Sequence, residues 1–248
     1  MSIRVFSAIC LLVIGLAPME SSAIINGEID TTHECVGSLH DLGGGGMVCS
    51  GTLIHESWVL TAAHCAAWGP DVFAMGFDWD VSPRVYIVDY VAVHPSFDGS
   101  GIFDFALMHL AAPVPWEPVC APLSPAEDGI GVGSGVFHVG YGLISYPDGA
   151  TSQRHRTLNT VNDVDAVGFI TLSQVSGPCI GDTGGPALRP NDARVAGVIS
   201  ATDAACAEWA YDGRVSLVFD GWIVPTILNF SGIFFDGFEL GNTDRWSM

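Results

Sequence analysis

Three short segments, in this order along the chain, carry side chains capable of covalent chemistry. They are Leu60-Thr61-Ala62-Ala63-His64-Cys65, then Asp104-Phe105-Ala106-Leu107, then Cys179-Ile180-Gly181-Asp182-Thr183-Gly184-Gly185-Pro186. Together they offer an imidazole, a carboxylate and an alcohol. An alcohol is a weak nucleophile until a neighbouring base takes its proton, and the base in turn needs a third group to hold its tautomer. Singly, each segment is poor evidence. An aspartate ahead of an apolar run is ordinarily an exposed turn residue, and Gly184-Gly185-Pro186 reads well as a plain glycine-rich turn. Only a fold that brings the three together gives them meaning.

The elements that must do this are strands. Between residues 24 and 230 short β-like runs alternate with Gly, Pro, Asp and Ser, and almost no apolar period of 3.6 residues appears. Candidate strands are Met47 to Ile54, Ser57 to Leu60, Arg84 to Val93, Phe105 to Ala111, Gly135 to Gly140, Arg194 to Ala201 and Arg214 to Phe219. Their spacing predicts an all-β barrel or sandwich. Pro113-Val114-Pro115-Trp116-Glu117-Pro118 is too proline-rich for a sheet ladder and reads as a linker between two lobes. Gly43 to Gly46 is a loop, and no Gly-Lys-Ser/Thr follows it to cradle a phosphate. No internal repeat is found.

Composition narrows the classes further. The chain has 248 residues, 49% of them hydrophobic, enough to bury a core without a metal. Its formal charge is −19, and all 8 basic residues are arginines. Such a surface argues against nucleic acid and anionic lipid as partners. Residues 1–23 read as a secretory signal: Arg4, an apolar run from Val5 to Pro18, then small residues ending at Ala23. That run is too short to span a bilayer, so no stable membrane insertion is expected. Cys10 leaves with the signal. The remaining six, Cys35, Cys49, Cys65, Cys120, Cys179 and Cys206, suit three disulfides in an exported chain. There is no C-x-x-C, and His55-Glu56 lacks the second histidine of a zinc-peptidase helix, so neither a metal nor another cofactor is expected.

Taken together, the three chemistry-bearing segments resemble those of the chymotrypsin and trypsin family of serine peptidases. Ile24-Ile25-Asn26-Gly27 is similar to the family's mature N-terminus, and Cys49-Ser50-Gly51-Thr52-Leu53-Ile54 to its strand before the histidine. Gly140-Tyr141-Gly142 resembles its Gly-Trp-Gly turn, and Trp222-Ile223 the start of its C-terminal helix. The resemblance implies two six-stranded antiparallel β-barrels, at about residues 24–115 and 120–220, with the active site in the cleft between them. A short helix at about 220–230 and a tail over residues 231–248 follow. It also implies His64 as base, Asp104 as the buried carboxylate, Thr183 as nucleophile and Ser200 as a hydrogen-bond donor to Asp104. The N–H groups of Gly181 and Thr183 would form the oxyanion hole. Asp182, buried beside the nucleophile, needs a cation. The family supplies the free N-terminal amine, here that of Ile24 after cleavage behind Ala23, with no separate zymogen stage. For the cysteines the resemblance pairs Cys49 with Cys65 and Cys179 with Cys206, leaving Cys35 and Cys120 for each other.

Departures from the family pattern set the alternatives. Serine is expected where Thr183 stands, and the extra methyl restricts χ1. A slow peptidase acting on protein or peptide as a monomer is one reading. An inactive homologue that binds peptide or protein in the old cleft is another, and a secreted structural module a third. The pocket residues matched by the resemblance are Gly177 at the floor, Ser200, Ala201 and Thr202 along one wall, and Gly213. An uncharged floor and a threonine wall predict small or medium apolar side chains. Asp203 or Asp212, if pointed inward, would instead favour basic ones. Ala201 stands where the family has tryptophan. For the leader, N-terminal sequencing of the exported protein is expected to begin at Ile24, and a start elsewhere removes that support for the Asp182 pairing.

Overall fold

The computed structural model describes residues 24–44 and 46–234. The expected leader and the chain beyond Phe234 lie outside the described residues. In chain order the elements are β1 (Glu28–Ile29), β2 (Val36–Asp41), β3 (Gly46–His55), β4 (Trp58–Thr61), α1 (Ala63–Ala66), β5 (Val72–Met75), β6 (Arg84–Val93) and β7 (Ala106–Leu110). There follow β8 (Gly135–Gly140), β9 (His155–Val164), β10 (Gly168–Leu172), β11 (Pro186–Leu188), β12 (Val195–Thr202) and β13 (Trp209–Arg214). The described residues end in helix: α2 (Ser216–Val218), a π-helical turn over Phe219–Ile223, and α3 (Val224–Phe234).

Strands β2-β3-β4-β7-β6-β5 close one barrel, with β5 returning to β2. Strands β8-β9-β10-β13-β12-β11 close a second, because β8 pairs with both β9 and β11. All these pairings are antiparallel, so the fold is the two-barrel architecture that the resemblance implied. Closure leaves neither barrel with a free edge. The first barrel is filled by Leu39, Leu53, Val59, Phe73 and Met108, all without solvent contact. In the second barrel, β9 alternates regularly, but its inward set is His155, Thr157, Asn159 and Val161. Three polar residues out of four point into that interior.

One expected strand is not a strand. Residues beyond Arg214 turn into helix at Ser216, and the last strand of the second barrel is Trp209–Arg214 instead. A short run such as Val215 to Phe219 fits a buried helix as well as a strand, and periodicity alone cannot separate them. The proline-rich segment is fastened to the first barrel. Glu117 is buried, accepts from Arg84 Nε and Tyr86 Oη at 2.5 Å each, and Val114 N–H bonds Glu56 O.

Two ties hold the lobes together. Phe230 of α3 reaches back from the second barrel to pack on Trp58 and His109 of the first, with ring centroids 5.1 and 4.2 Å away. Arg154 is fully buried and donates to Asp30 Oδ2 (3.1 Å), to the carbonyls of Val36 and Gly76 (3.2 Å each) and to Tyr141 Oη (3.3 Å). The N-terminal segment thus lies on the second barrel, where β1 pairs with β9 and Ile25 bridges Gly177. Asp30→Asn would strand a buried guanidinium, a change that costs about 3–5 kcal/mol. Urea unfolding is expected to show a loss of that size, and the paired change Asp30→Leu with Arg154→Met to recover most of it.

Candidate active site

His64 lies in α1, the single helical turn directly behind β4, and Asp104 stands two residues before β7, the neighbour of β4. Their adjacency therefore follows from the register of two strands in one barrel. His64 Nδ1 is 2.7 Å from Asp104 Oδ2, and the His64 backbone N–H donates to Asp104 Oδ1 at 2.9 Å. Ser200 Oγ, from β12 of the other barrel, donates to Asp104 Oδ2 at 2.6 Å. The carboxylate has only 2% of its surface exposed. Burial by itself would raise its pKa, but the hydrogen bonds from His64 and Ser200 outweigh it and hold the group below the usual carboxylate range. With Nδ1–H directed at Asp104, the imidazole presents Nε2 as its basic lone pair.

The third segment forms a tight turn. Gly181 has φ of +95°, where a side chain would be strained. Ser50 of the first barrel grips the turn twice, Oγ donating to Gly181 O at 2.9 Å and N–H to Thr183 O at 3.0 Å. Asp182 is wholly buried and accepts from Gly142 N–H at 2.8 Å and Cys179 N–H at 2.9 Å. Burial pushes its pKa up to about 7, against those two hydrogen bonds and the longer-range attraction of His138. Among the described residues the N–H groups of Gly181 and Thr183 donate to no protein acceptor. Ile24 is completely buried, and the Ile25 bridge to Gly177 places it near this turn.

Thr183 sits differently from expectation. Its Oγ1 faces the Cys49–Cys65 disulfide, 3.6 Å from Cys49 Sγ and 3.9 Å from Cys65 Sγ, and makes no hydrogen bond to His64 among the described residues. Oxidised sulfur carries no hydrogen and can only accept. His64 Nε2 lies 3.5 Å from the same Cys65 Sγ, so alcohol and imidazole share the disulfide as neighbour. Cys179 joins Cys206, and Cys35 joins Cys120.

The matched pocket residues separate into two groups. Gly177 has both backbone groups paired with Ile25, and a side chain there would collide with Ser173 Oγ and Cβ, so Ser173 fills the space of a floor side chain. Thr202 follows Ser200 and Ala201 on β12, its Oγ1 3.8 Å from Cys206 Sγ. Ser200 and Ala201 open onto a cavity of about 540 Å3 lined by Ile102, Ile170, Leu172, Trp209 and Tyr211. Gly213, in contrast, does not form a wall: the Phe105 ring covers the place of its missing side chain, because β13 here packs on the first barrel. Asp203 caps its own loop, accepting from the N–H groups of Ala205, Ala207, Glu208 and Trp209. Asp212 is buried, with both oxygens on His138 Nε2 at 3.1 and 3.0 Å. Neither presents a free carboxylate. Sequence reasoning missed Ser173, His138, Trp209 and Tyr211; the polar inward residues of the second barrel were the available signal.

Comparison with known proteins agrees with this geometry. A sequence model described as trypsin matches residues 24–219. Among curated relatives, the venom plasminogen activator Haly-PA of Gloydius brevicauda is 28% identical over 250 residues, covering 91% of this chain and 95% of the relative. Serine protease SP24D of Anopheles gambiae is 28% identical over 228 residues, covering 84% and 82%. Glucanase inhibitor protein 2 of Phytophthora sojae is 30% identical over 167 residues, covering 60% and 57%. Among the described residues no helix is long and apolar enough to cross a membrane.

Asp182 makes stability depend on pH. Its pKa is about 7 in the folded chain against 3.8 for the free group, so the unfolded state ionises first and stability falls as pH rises from about 4 to about 7. The drop is at most ~4 kcal/mol at ~1.4 kcal/mol per unit. Urea titrations of the full chain at pH 5 and 7.5 are expected to show about 2.5 kcal/mol of it, Asp182→Asn to abolish it, and a chain starting at Ile24 to reduce it.

Proposed function

The chain belongs to the trypsin family, and from that premise we propose that it is an exported endopeptidase with a His64-Asp104-Thr183 triad and low turnover. The observation that carries this reading is the unbroken relay from Ser200 through Asp104 to His64, assembled from both barrels beside two free amides. A fold kept only for binding has no physical need of a buried carboxylate matched by three donors.

In the proposed reaction Thr183 first rotates about χ1 from the disulfide toward His64. Oγ1 then attacks the scissile carbonyl carbon as His64 Nε2 takes its proton. The tetrahedral oxyanion accepts hydrogen bonds from Gly181 and Thr183 N–H, and the imidazolium is steadied by Asp104. Collapse breaks the C–N bond, and His64 returns the proton to the leaving amine. Water, deprotonated by His64, then hydrolyses the threonyl ester and regenerates the alcohol. No step calls on a cofactor.

Uncharged surroundings at Gly177 and Ser173, with Thr202 alongside, support a preference for small or medium apolar side chains before the scissile bond. Export with cleavage after Ala23 would free Ile24 as the cation for Asp182. A second reading is favoured by one observation, the Thr183 hydroxyl turned to sulfur: an inactive homologue that binds protein in the cleft, a use consistent with similarity to a protein named for glucanase inhibition.

Hydrolysis of casein and of a small ester by wild type, Thr183→Ser and Thr183→Ala separates the two. A slow peptidase is expected to gain on the order of 100-fold with serine, the scale of relieving a misplacement of ~1 Å, and to stop with alanine. Three equally inert variants that bind peptide tightly would establish the inactive homologue.

A further inference from the structure

His138 is the most deeply buried imidazole of the second barrel and has no part in the reaction above. It lies on β8 with none of its surface exposed. Its Nδ1 is 2.9 Å from Asn159 Oδ1. The orientation of Asn159 is fixed from its other side, because its amide nitrogen donates to the carbonyls of Leu172 (3.1 Å) and Ser176 (2.8 Å), which can only accept. Asn159 therefore turns its oxygen to His138, and Nδ1 must carry a proton. The other ring nitrogen faces both oxygens of Asp212. A lone pair aimed at a buried carboxylate would be repelled, so Nε2 carries a proton as well. The geometry makes His138 an imidazolium.

That charge has a second carboxylate within reach. Side chains on a strand alternate, so His138 and Gly140 project from the same face of β8. A side chain at Gly140 would collide with Asp182 Oδ1, which places Asp182 against that face beside His138. The hydrogen bonds that Asp182 accepts, from Gly142 and Cys179, brace the turn bearing Gly181 and Thr183.

We propose that His138 is an internal counter-ion to this turn: held doubly protonated by Asn159 and Asp212, it eases the ionisation of Asp182 and so helps keep the Gly181 and Thr183 amides aligned even while the leader still precedes Ile24. It is a positioning residue. The electrostatics agree. Burial alone would lower the pKa of His138, but Asp212, by charge and hydrogen bond, then Asn159 and the more distant Asp182 raise it above its ordinary value. Asp182 is in turn pulled down by His138.

The alignment of the turn can be read without catalysis, although its kinetic consequence rests on the peptidase reading. Amide hydrogen exchange at Gly142 and Cys179 is compared in the full-length chain, His138→Gln and His138→Arg. His138→Gln is expected to speed exchange at these two amides about 10-fold, the equivalent of ~1.4 kcal/mol, while Leu53 and Leu107 in the first barrel stay unchanged. His138→Arg, which keeps the charge, is expected to restore most of the protection. Unchanged exchange in His138→Gln, or equal loosening of every strand of the second barrel, would overturn the proposal. Should His138→Gln fail to fold, the pair His138→Phe with Asp212→Leu removes both charges without stranding either. It is expected to show the same local loosening, and full protection there would overturn the proposal too.

In a Thr183→Ser background, labelling by an organophosphorus acylation mimic reports the hole directly. His138→Gln is expected to slow it about 10-fold and His138→Arg to recover it. A Thr183→Ser chain inert to the reagent with His138 intact counts against the peptidase reading, while the exchange data still decide the role of His138.

Discussion

A carboxylate taken out of water must recover its hydrogen bonds from the protein, and Asp104 recovers them from both barrels. His64 supplies two, from backbone and ring, and Ser200 supplies the third across the interface. Loss of any one would leave a buried acceptor under-matched, at a cost of about 1–3 kcal/mol. The relative placement of the barrels is therefore tied to the charge state of one side chain. Phe105, next in sequence, packs its ring over Gly213 of the opposite barrel and turns that requirement into close contact. Phe230 and Arg154 hold the far sides. The third donor to Asp104 arrives only once both lobes are formed and docked.

The second barrel obeys a different logic from the first. One apolar cluster lies wholly within it, comprising Leu123, Ile130, Val136, Val161, Phe169, Ala187 and Ala196, while Val139, Leu188, Val195 and Val198 join the cluster that runs on from the first barrel. Beside them runs a polar network through Thr157, Ser176, Asn159, His138 and Asp212. Such networks are costly unless satisfied and directional when they are. Ser173 and Thr171 keep buried hydroxyls without a partner among the described residues, at the end nearest Gly177. The second barrel is thus held by oriented hydrogen bonds as well as by apolar burial.

Much of this was legible in the sequence. The resemblance carried by the three segments implies the barrels, and the strands at Arg84–Val93 and Gly135–Gly140 stand where the β-like runs put them. That His64, Asp104 and Ser200 meet also follows from motif resemblance, because each lies at a fixed offset from a strand end. What could not be read depends on contacts between distant residues. Asp203 and Asp212 are equally acidic in sequence, yet one caps a loop and the other neutralises a histidine 74 positions away. Val215 to Phe219 is apolar enough for strand or helix, and only the docking of α3 on the first barrel decides. Ser173 occupies the room that Gly177 leaves, a relation that no single-residue match reveals.

The orientation of Thr183 is the sharpest instance of such a constraint. One carbon carries both hydroxyl and methyl, so the site must lodge a methyl wherever the alcohol is not, and χ1 has few choices. Relief by a backbone shift is closed off. The carbonyl of Thr183 is held by Ser50 N–H, and its neighbour Asp182 is pinned by the N–H groups of Gly142 and Cys179. A movement of the main chain large enough to free the side chain would misalign those amides. The hydrogen bonds that hold this turn leave side-chain rotation beside the Cys49–Cys65 disulfide as the adjustment open to the threonine.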